Sequence, residues 1–271
     1  MFKHFLIALQ FLTIVPVRVK GEITEEDMAG SSVFFPVVGA FQGILVILTA
    51  LLFSRFFSTE ITSGIVMIIL IISNGGFHLD GISDTFDALA VKSTGDRGAD
   101  RERRLAVMKD SRTGAIGVTA LVLTILLKYL LIDNLLLYSA SLTRYSLLFL
   151  MPVFSKWLMV PAMYYGTSAR KDGLGRIFIE NITRKDLVYS SLITFSFVLL
   201  GAELLQHTAY SRVAAFLLII LFAVIYIFCL LSVRFCRRMF GGLTGDTLGA
   251  TGELSEILFL MVVSLWLQHS I

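Results

Sequence analysis

The sequence predicts an all-α, polytopic membrane protein. Hydrophobic residues make up 56% of the 271-residue chain, charged residues make up only 16%, and the mean hydropathy is +0.82. These values leave too few polar side chains to cover a soluble globule, and the apolar content excludes a disordered chain. The apolar residues also gather into long runs between short polar connections, which is the pattern of membrane-spanning helices.

The length of each apolar run predicts the elements in order. Residues 5–19 include Pro16 and fall short of the ~20 residues that a span needs, so we predict a short N-terminal re-entrant or interfacial helix. The fourth of the longer runs contains Pro152 and Pro161, which favours one kinked span. No linker or internal repeat is visible, so we expect residues 1–271 to form one domain. The longer runs predict about seven transmembrane helices, at residues 32–53, 62–78, 116–132, 135–165, 187–205, 213–233 and 248–267.

The distribution of basic residues predicts the orientation. Seventeen of the 23 Lys and Arg residues lie in four polar connections, at residues 18–20, 92–113, 170–185 and 234–238. Alternating spans put these connections on one side of the membrane, and basic loops are typically cytoplasmic. We therefore expect a multi-pass protein of the inner membrane with its site on the cytoplasmic side. The basic segments are separated by spans and contain no recognition motif, so nucleic-acid binding is not predicted.

The first segment that contains candidate functional residues is GGFHLDGISDTFDAL, residues 75–89. In a helix, at ~100° per residue, Asp80, Asp84 and Asp87 lie within roughly 60° of one another on one face. Clustered carboxylates repel one another unless a cation lies among them, and Mg²⁺ binds a few carboxylates together with substrate phosphates. We therefore predict a metal site at these three acids, with a solvated helix end as the alternative. His78 is a candidate for contact with metal or phosphate, or a hydrogen-bonding bystander.

The second segment is RRLAVMKDSRTGAIG, residues 103–117, which alternates cations with small hydrogen-bond donors just before a span. Arg and Lys bind phosphate, and a Ser/Thr/Gly stretch that opens a helix supplies free N–H groups. The alternative is an anchor that only fixes topology, although an acid between the cations favours a site. The candidate substrate-binding residues are Arg104, Lys109, Asp110, Ser111 and Arg112.

The third segment is GGLTGDTLGATGELSE, residues 241–256, at the predicted cytoplasmic start of the last span. Asp246 and Glu253 are seven residues apart and share one helical face. Helix packing explains the glycines, but acids inside a membrane helix are costly and typically functional. We predict that this segment forms the second half of the site, with Asp246 as a catalytic residue and Glu253 as a substrate-binding residue. A further basic loop, TSARKDGLGR at residues 167–176, fits phosphate binding and simple topology equally well.

In this order and spacing, these segments resemble the adenosylcobinamide-GDP ribazoletransferases, the cobalamin synthases. The resemblance runs along nearly the whole chain and is carried by the segments QFLTIVPV, FFPVVGAFQG, GGFHLDGISDTFDAL, RRLAVMKDSRTGAIG and GGLTGDTLGA. It implies a Mg²⁺-dependent membrane transferase that joins adenosylcobinamide-GDP to α-ribazole or its 5′-phosphate and releases GMP. It also makes association with other enzymes of the same pathway plausible. Which acceptor is preferred, and whether the chain self-associates, stay open.

The residue types suit this chemistry independently of the resemblance. Displacing GMP from a diphosphate requires neutralisation of negative charge, which Mg²⁺, Arg and Lys supply, and the attacking hydroxyl needs a proton acceptor. We expect Asp80 and Asp84 to bind Mg²⁺, with Asp87 a third ligand or the general base. Two rival classes are considered. A CDP-alcohol phosphotransferase should carry an Ala-Arg pair that is missing after DGISD, and a cation-coupled transporter should show an inverted repeat.

Overall fold

The computed structural model describes residues 1–110, 112–138, 141–206 and 211–270, and in these ranges the chain is helical, with one isolated β-bridge. The all-α prediction is therefore confirmed. The helices are α1 (Phe2–Leu12), α2 (Glu25–Ser31), α3 (Phe35–Phe53), α4 (Thr59–Ser73), α5 (Phe77–Leu89), α6 (Arg97–Val107), α7 (Ala115–Tyr138), α8 (Ser141–Tyr165), α9 (Leu174–Asn181), α10 (Arg184–Gln206), α11 (Ser211–Phe240) and α12 (Gly245–Ser270).

The number of spans agrees with the prediction. Six helical segments are long and apolar enough to cross a membrane, and α4 with α5 makes a seventh if this bent pair is counted as one span. The N-terminal stretch forms the short helix α1, as predicted, and its side chains Ile7, Ala8, Leu9 and Leu12 are buried against the bundle.

Two predicted spans have different boundaries in the structure. The run at 135–165 is not one kinked span, because α7 continues to Tyr138 and a separate helix, α8, begins at Ser141. The apolar run therefore straddles the end of one helix and the whole of the next. Hydropathy alone could not separate them, because apolar residues stand on both sides of the break.

The run at 62–78 is also interrupted. Helix α4 ends at Ser73, and α5 leaves at an angle of 85°. Gly75 and Gly76 have φ values of +65° and +75°, a conformation that residues with a Cβ rarely adopt, and together they end α4 and turn the chain into α5. The Asn74 side chain accepts a hydrogen bond from the Gly76 N–H (3.0 Å) and stabilises the turn. This bend directs the acidic helix α5 across the interior of the bundle.

Helix α8 forms the centre of the bundle, where its side chains are almost entirely buried against α3, α10, α11 and α12. A Cβ on Gly39 or Gly43 of α3 would lie within 2.6 Å of a backbone carbonyl oxygen of α8, so only glycine permits this approach. The close crossing fixes α8 as the helix on which the other spans pack.

Contacts in the structure join three of the four basic connections, those at residues 92–113, 170–185 and 234–238. Arg101 and Arg104 of α6 donate hydrogen bonds to the carbonyl oxygens at the end of α11, at 3.3 and 3.1 Å. Lys109 forms an ion pair with Asp172 (2.9 Å) before α9. The Arg176 guanidinium of α9 lies 3.3 Å from the Glu25 carboxylate and joins α9 to α2. We call this surface the basic face. These contacts join segments that are up to 151 residues apart in the chain.

Candidate active site

Helices α5 and α12 cross so closely that their backbones touch. A Cβ on Gly81 would lie 2.5 Å from the Asp246 carbonyl oxygen, and a Cβ on Gly249 would lie 3.2 Å from the Cα of His78. Small residues permit such contacts between membrane helices. The crossing places the acids of α5 beside the first turn of α12.

Three carboxylates meet at this crossing. Asp80 and Asp84 lie one turn apart on α5, and the Asp84 carboxylate interacts electrostatically with both Asp80 and Asp246. Asp80 is exposed, whereas the other two are half-buried. The structure therefore brings together the acids of two segments that are separated by more than 150 residues. We call this group the acidic cluster.

One cation faces the acidic cluster. The Arg170 guanidinium lies 3.0 Å from the Asp246 carboxylate and also interacts electrostatically with Asp84. Arg170 is carried by the loop before α9, and that loop pairs with the loop before α12. The Ala169 N–H donates to the Leu243 carbonyl (2.8 Å), and the Leu243 N–H donates to the Thr167 carbonyl (2.7 Å). This backbone pairing fixes the position of Arg170 relative to Asp246.

The Arg170 side chain has a donor that is not paired with Asp246. Its Nη2 atom is buried in the ion pair with Asp246, whereas its Nε atom is buried with no hydrogen-bond partner among the described residues. An unsatisfied buried donor costs free energy, so an anion that accepts from Nε would be stabilised there. Sequence reasoning left this basic loop without an assigned role, because only its contact with Asp246 distinguishes Arg170 from a topology signal.

Asp87 has a different environment from the other acids of α5. Its two carboxylate oxygens accept hydrogen bonds from the N–H groups of Gly114 (2.6 Å) and Gly117 (2.7 Å), at the start of α7. These N–H groups have no intrahelical partner, so Asp87 caps α7. A Cβ at either glycine would collide with the Asp87 side chain. Asp87 thus ties the acidic helix to α7.

Four of the five predicted substrate-binding residues of the basic segment are described, and each of the four has a protein partner on the basic face. Arg104 donates to the Met239 carbonyl, and Lys109 pairs with Asp172. Arg112 pairs with Asp110 at 2.7 Å, and its hydrogen bond lowers the pKa of the Asp110 carboxyl to about 2. Ser111 lies outside the described residues.

Two other predicted substrate-binding residues, His78 and Glu253, belong to a buried ion network behind the acidic cluster. Lys128 of α7 pairs with Glu253 (2.8 Å) and Glu256 of α12. Lys156 of α8 lies 3.4 Å from Glu256 and 3.3 Å from the His78 Nδ1 atom. An ammonium group can only donate, so the His78 Nδ1 atom accepts. All five residues are at most 7% exposed.

The network was not predicted as a unit. Lys128 lies thirteen residues into α7, about 20 Å along a helix that is long and apolar enough to cross a membrane. The signal in the sequence was a single lysine inside each of two apolar runs. Burial of two cations with two anions keeps the formal charge of the network balanced when His78 is neutral.

The oxygen-only donor set of the acidic cluster fits a hard cation such as Mg²⁺. Within residues 1–110, 112–138, 141–206 and 211–270, no three acidic, His or Cys side chains converge on one cation position. Mg²⁺ does not require such a cage, because it is usually held by one or two carboxylates together with water and substrate phosphates. Asp80 and Asp84 are available for this role, whereas the oxygens of Asp87 already accept two N–H groups.

The fold and the site define a polytopic membrane protein in which carboxylates of two helices face an arginine. The chain belongs to the cobalamin-5-phosphate synthase family, whose model matches residues 4–264. It is therefore a transferase of cobalamin biosynthesis.

Relatives match along nearly their whole length. The chain is 37% identical to the adenosylcobinamide-GDP ribazoletransferase of Thermodesulfovibrio yellowstonii, with 99% of this chain and all of the relative covered. It is 34% identical to the enzyme of the same name from Geotalea daltonii, with 97% of each chain covered. The corresponding protein of Clostridium tetani is 31% identical, with 96% of this chain and 95% of the relative covered. No solved structure matches the chain.

Proposed function

We propose that this protein joins adenosylcobinamide-GDP to α-ribazole, or to its 5′-phosphate, and releases GMP in a Mg²⁺-dependent reaction. The observation that carries the proposal is the acidic cluster with Arg170 against it, inside a family whose relatives bear the transferase name. Carboxylates for a cation and a guanidinium for phosphate oxygens are the two requirements for cleavage of a diphosphate.

Each acidic residue has its own role in the proposed reaction. A bound Mg²⁺ would neutralise charge on the diphosphate oxygens, and Asp80 and Asp84 would hold it. The acceptor's ribose hydroxyl oxygen forms a bond to the phosphorus that carries the cobinamide, and the bond from that phosphorus to the bridging oxygen breaks. GMP leaves with the electron pair, and the hydroxyl proton passes to a carboxylate, for which Asp246 is suited by its position on the opposite helix.

Cations around the cluster hold the phosphates in this proposal. Arg170 is the nearest to the acids, and Lys109 and Arg112 lie on the same basic face. Each forms an ion pair with a neighbouring carboxylate, which a substrate phosphate would replace as the anionic partner. Asp87 supports the site by capping α7, and His78 lines the cavity together with Asp80.

The proposal also concerns orientation. Basic connections face the cytoplasm in membrane proteins, so the basic face and the acidic cluster are assigned to the cytoplasmic side of the inner membrane. A CDP-alcohol phosphotransferase would use similar metal chemistry, but the family match over nearly the whole chain does not favour it. A cation transporter would move ions without release of nucleotide.

The direct test is GMP release by the purified protein in lipid vesicles supplied with adenosylcobinamide-GDP. We expect release to require both α-ribazole and Mg²⁺, because the acceptor displaces GMP and the metal neutralises the diphosphate. Comparison of α-ribazole with its 5′-phosphate, at matched concentrations, identifies the preferred acceptor. Release that is independent of the acceptor would indicate a hydrolase, and cation flux without release would favour the transporter.

Replacement of Arg170 tests the phosphate contact. We expect Arg170→Gln to raise the KM for adenosylcobinamide-GDP about 10- to 100-fold, which corresponds to loss of a hydrogen bond to a charged group. The KM for the acceptor should change little. Steady-state kinetics in vesicles, with each substrate varied in turn, measure the two values.

Arg184→Gln is the matched control, since Arg184 is an exposed guanidinium at the start of α10. Its kinetics should resemble those of the wild type. An unchanged donor KM in Arg170→Gln would contradict the assignment of Arg170 to the phosphates.

A further inference from the structure

A cavity of about 520 Å³ opens beside the acidic cluster. The polar part of its wall is formed by Gln10, His78, Asp80 and Asp246. The rest of the lining is mostly apolar and includes Met159 and Met163 of α8. The cavity thus combines an apolar interior with carboxylates at one side.

The apolar part contains three aromatic rings in mutual contact. The ring centroids of Phe11 and Phe178 are 4.5 Å apart, and Phe35 lies 5.6 Å from Phe178 and 6.0 Å from Phe11. The three residues come from α1, α9 and α3, so the cluster forms only when these helices pack together. Aromatic clusters favour flat, apolar ligands, which gain stacking or edge contacts in addition to burial.

We propose that this cavity is the subsite for the acceptor, a flat apolar aromatic base joined to ribose. The inference rests on the proposed function and adds the location and chemical class of one of its substrates. The base lies among the Phe11, Phe35 and Phe178 rings. The ribose lies at the polar wall, with its attacking hydroxyl beside Asp80 and Asp246.

Size separates the two substrates. A cavity of about 520 Å³ is in the range that encloses a single drug-sized ligand. An aromatic base with one ribose is of this size, whereas a corrinoid joined to GDP is several times larger. The whole donor is therefore too large for the cavity, and its guanine would leave polar groups unpaired among the phenylalanine rings. In this proposal the donor stays on the basic face and presents its diphosphate to the acidic cluster.

Hydrogen bonding separates the acceptor from a membrane lipid. Ribose hydroxyls can donate hydrogen bonds to the Asp80 and Asp246 carboxylates in the wall, whereas a lipid acyl chain cannot. The polar wall is thus complementary to a sugar and not to an acyl chain.

Equilibrium binding of α-ribazole alone, to the full chain in lipid vesicles, tests the subsite without turnover. We expect Met163→Trp to abolish binding, because the larger side chain fills the cavity that Met163 lines. Phe178→Leu should weaken binding about 2- to 10-fold through loss of the aromatic contact. In kinetic assays, Phe178→Leu should raise the KM for the acceptor and leave the KM for the donor unchanged.

Matched substitutions control for folding. Met261→Trp alters a partly exposed methionine of α12, and Phe259→Leu alters a buried phenylalanine of the same helix, and neither residue lines the cavity. Both controls should bind α-ribazole as the wild type does. The proposed subsite would be overturned if Met163→Trp and Phe178→Leu bound α-ribazole with wild-type affinity. It would also be overturned if these substitutions displaced a bound lipid and not α-ribazole. If the wild type binds α-ribazole but never releases GMP, the proposed reaction fails while the subsite stands.

Discussion

Asp80→Asn and Asp84→Asn should each lower the rate of GMP release by a factor on the order of 10² or more. The amide keeps the shape of the carboxylate but removes the negative charge that a divalent cation needs. Both residues lie at the crossing of α5 with α12, where Asp84 interacts electrostatically with Asp80 and Asp246. The rate should be measured over a range of Mg²⁺ concentrations, since a weakened metal site demands more Mg²⁺ for the same activity.

Two further variants sharpen this test. Glu26→Gln removes an exposed carboxylate of α2 and should leave the rate unchanged. Asp87→Asn should chiefly lower stability, because an amide can replace only one of the two acceptor oxygens that cap α7. If Asp80→Asn and Asp84→Asn proteins, correctly inserted, kept wild-type turnover and Mg²⁺ dependence, the assignment of the metal to these acids would fail.

Lys128→Met should destabilise the protein by about 3–5 kcal/mol. Lys128 is fully buried and pairs with both Glu253 and Glu256, so its removal leaves two buried carboxylates with Lys156 as their cation. Removal of one partner of a buried pair costs more than the pair contributes, because the remaining charge is desolvated without compensation. Unfolding of the purified protein in mixed detergent, followed by circular dichroism, measures the change in the free energy of unfolding.

The double variant Lys128→Met/Glu253→Gln provides the matched control. It leaves one cation, Lys156, and one anion, Glu256, so we expect it to recover part of the lost stability. Lys185→Met removes an exposed lysine at the start of α10 and should change the free energy of unfolding little. Equal stability of the wild type, Lys128→Met and the double variant would show that the network contributes nothing to the fold.

The network also bears on the site. It joins α12 to α7 and α8 directly behind the acidic cluster, and Lys156 contacts His78 in the cavity wall. Displacement of these helices would alter the crossing that holds Asp246 beside Asp80. Variants in the network should therefore lose activity in proportion to their loss of stability, unlike Asp80→Asn, which should lose activity while remaining folded.

Local sequence patterns determined the class of the fold and the segments of the site. Apolar runs of sufficient length must be helices in a membrane, because no water is present to satisfy their backbone groups. The spacing of Asp80 and Asp84 requires one helical face, and the basic loops require a common side of the membrane. These properties depend on neighbouring residues and on hydropathy, and can be read from the chain.

Only the tertiary structure decided which charged residues meet. The paired loops bring Arg170 to Asp246, and the packing of α7, α8 and α12 joins Lys128 and Lys156 to the glutamates of α12. It also gives Asp87 a distinct role, because the carboxylate of Asp87 caps the start of α7. Such contacts depend on the distance between helices, which is set by the glycine crossings at Gly81 and Gly249 and not by any local pattern.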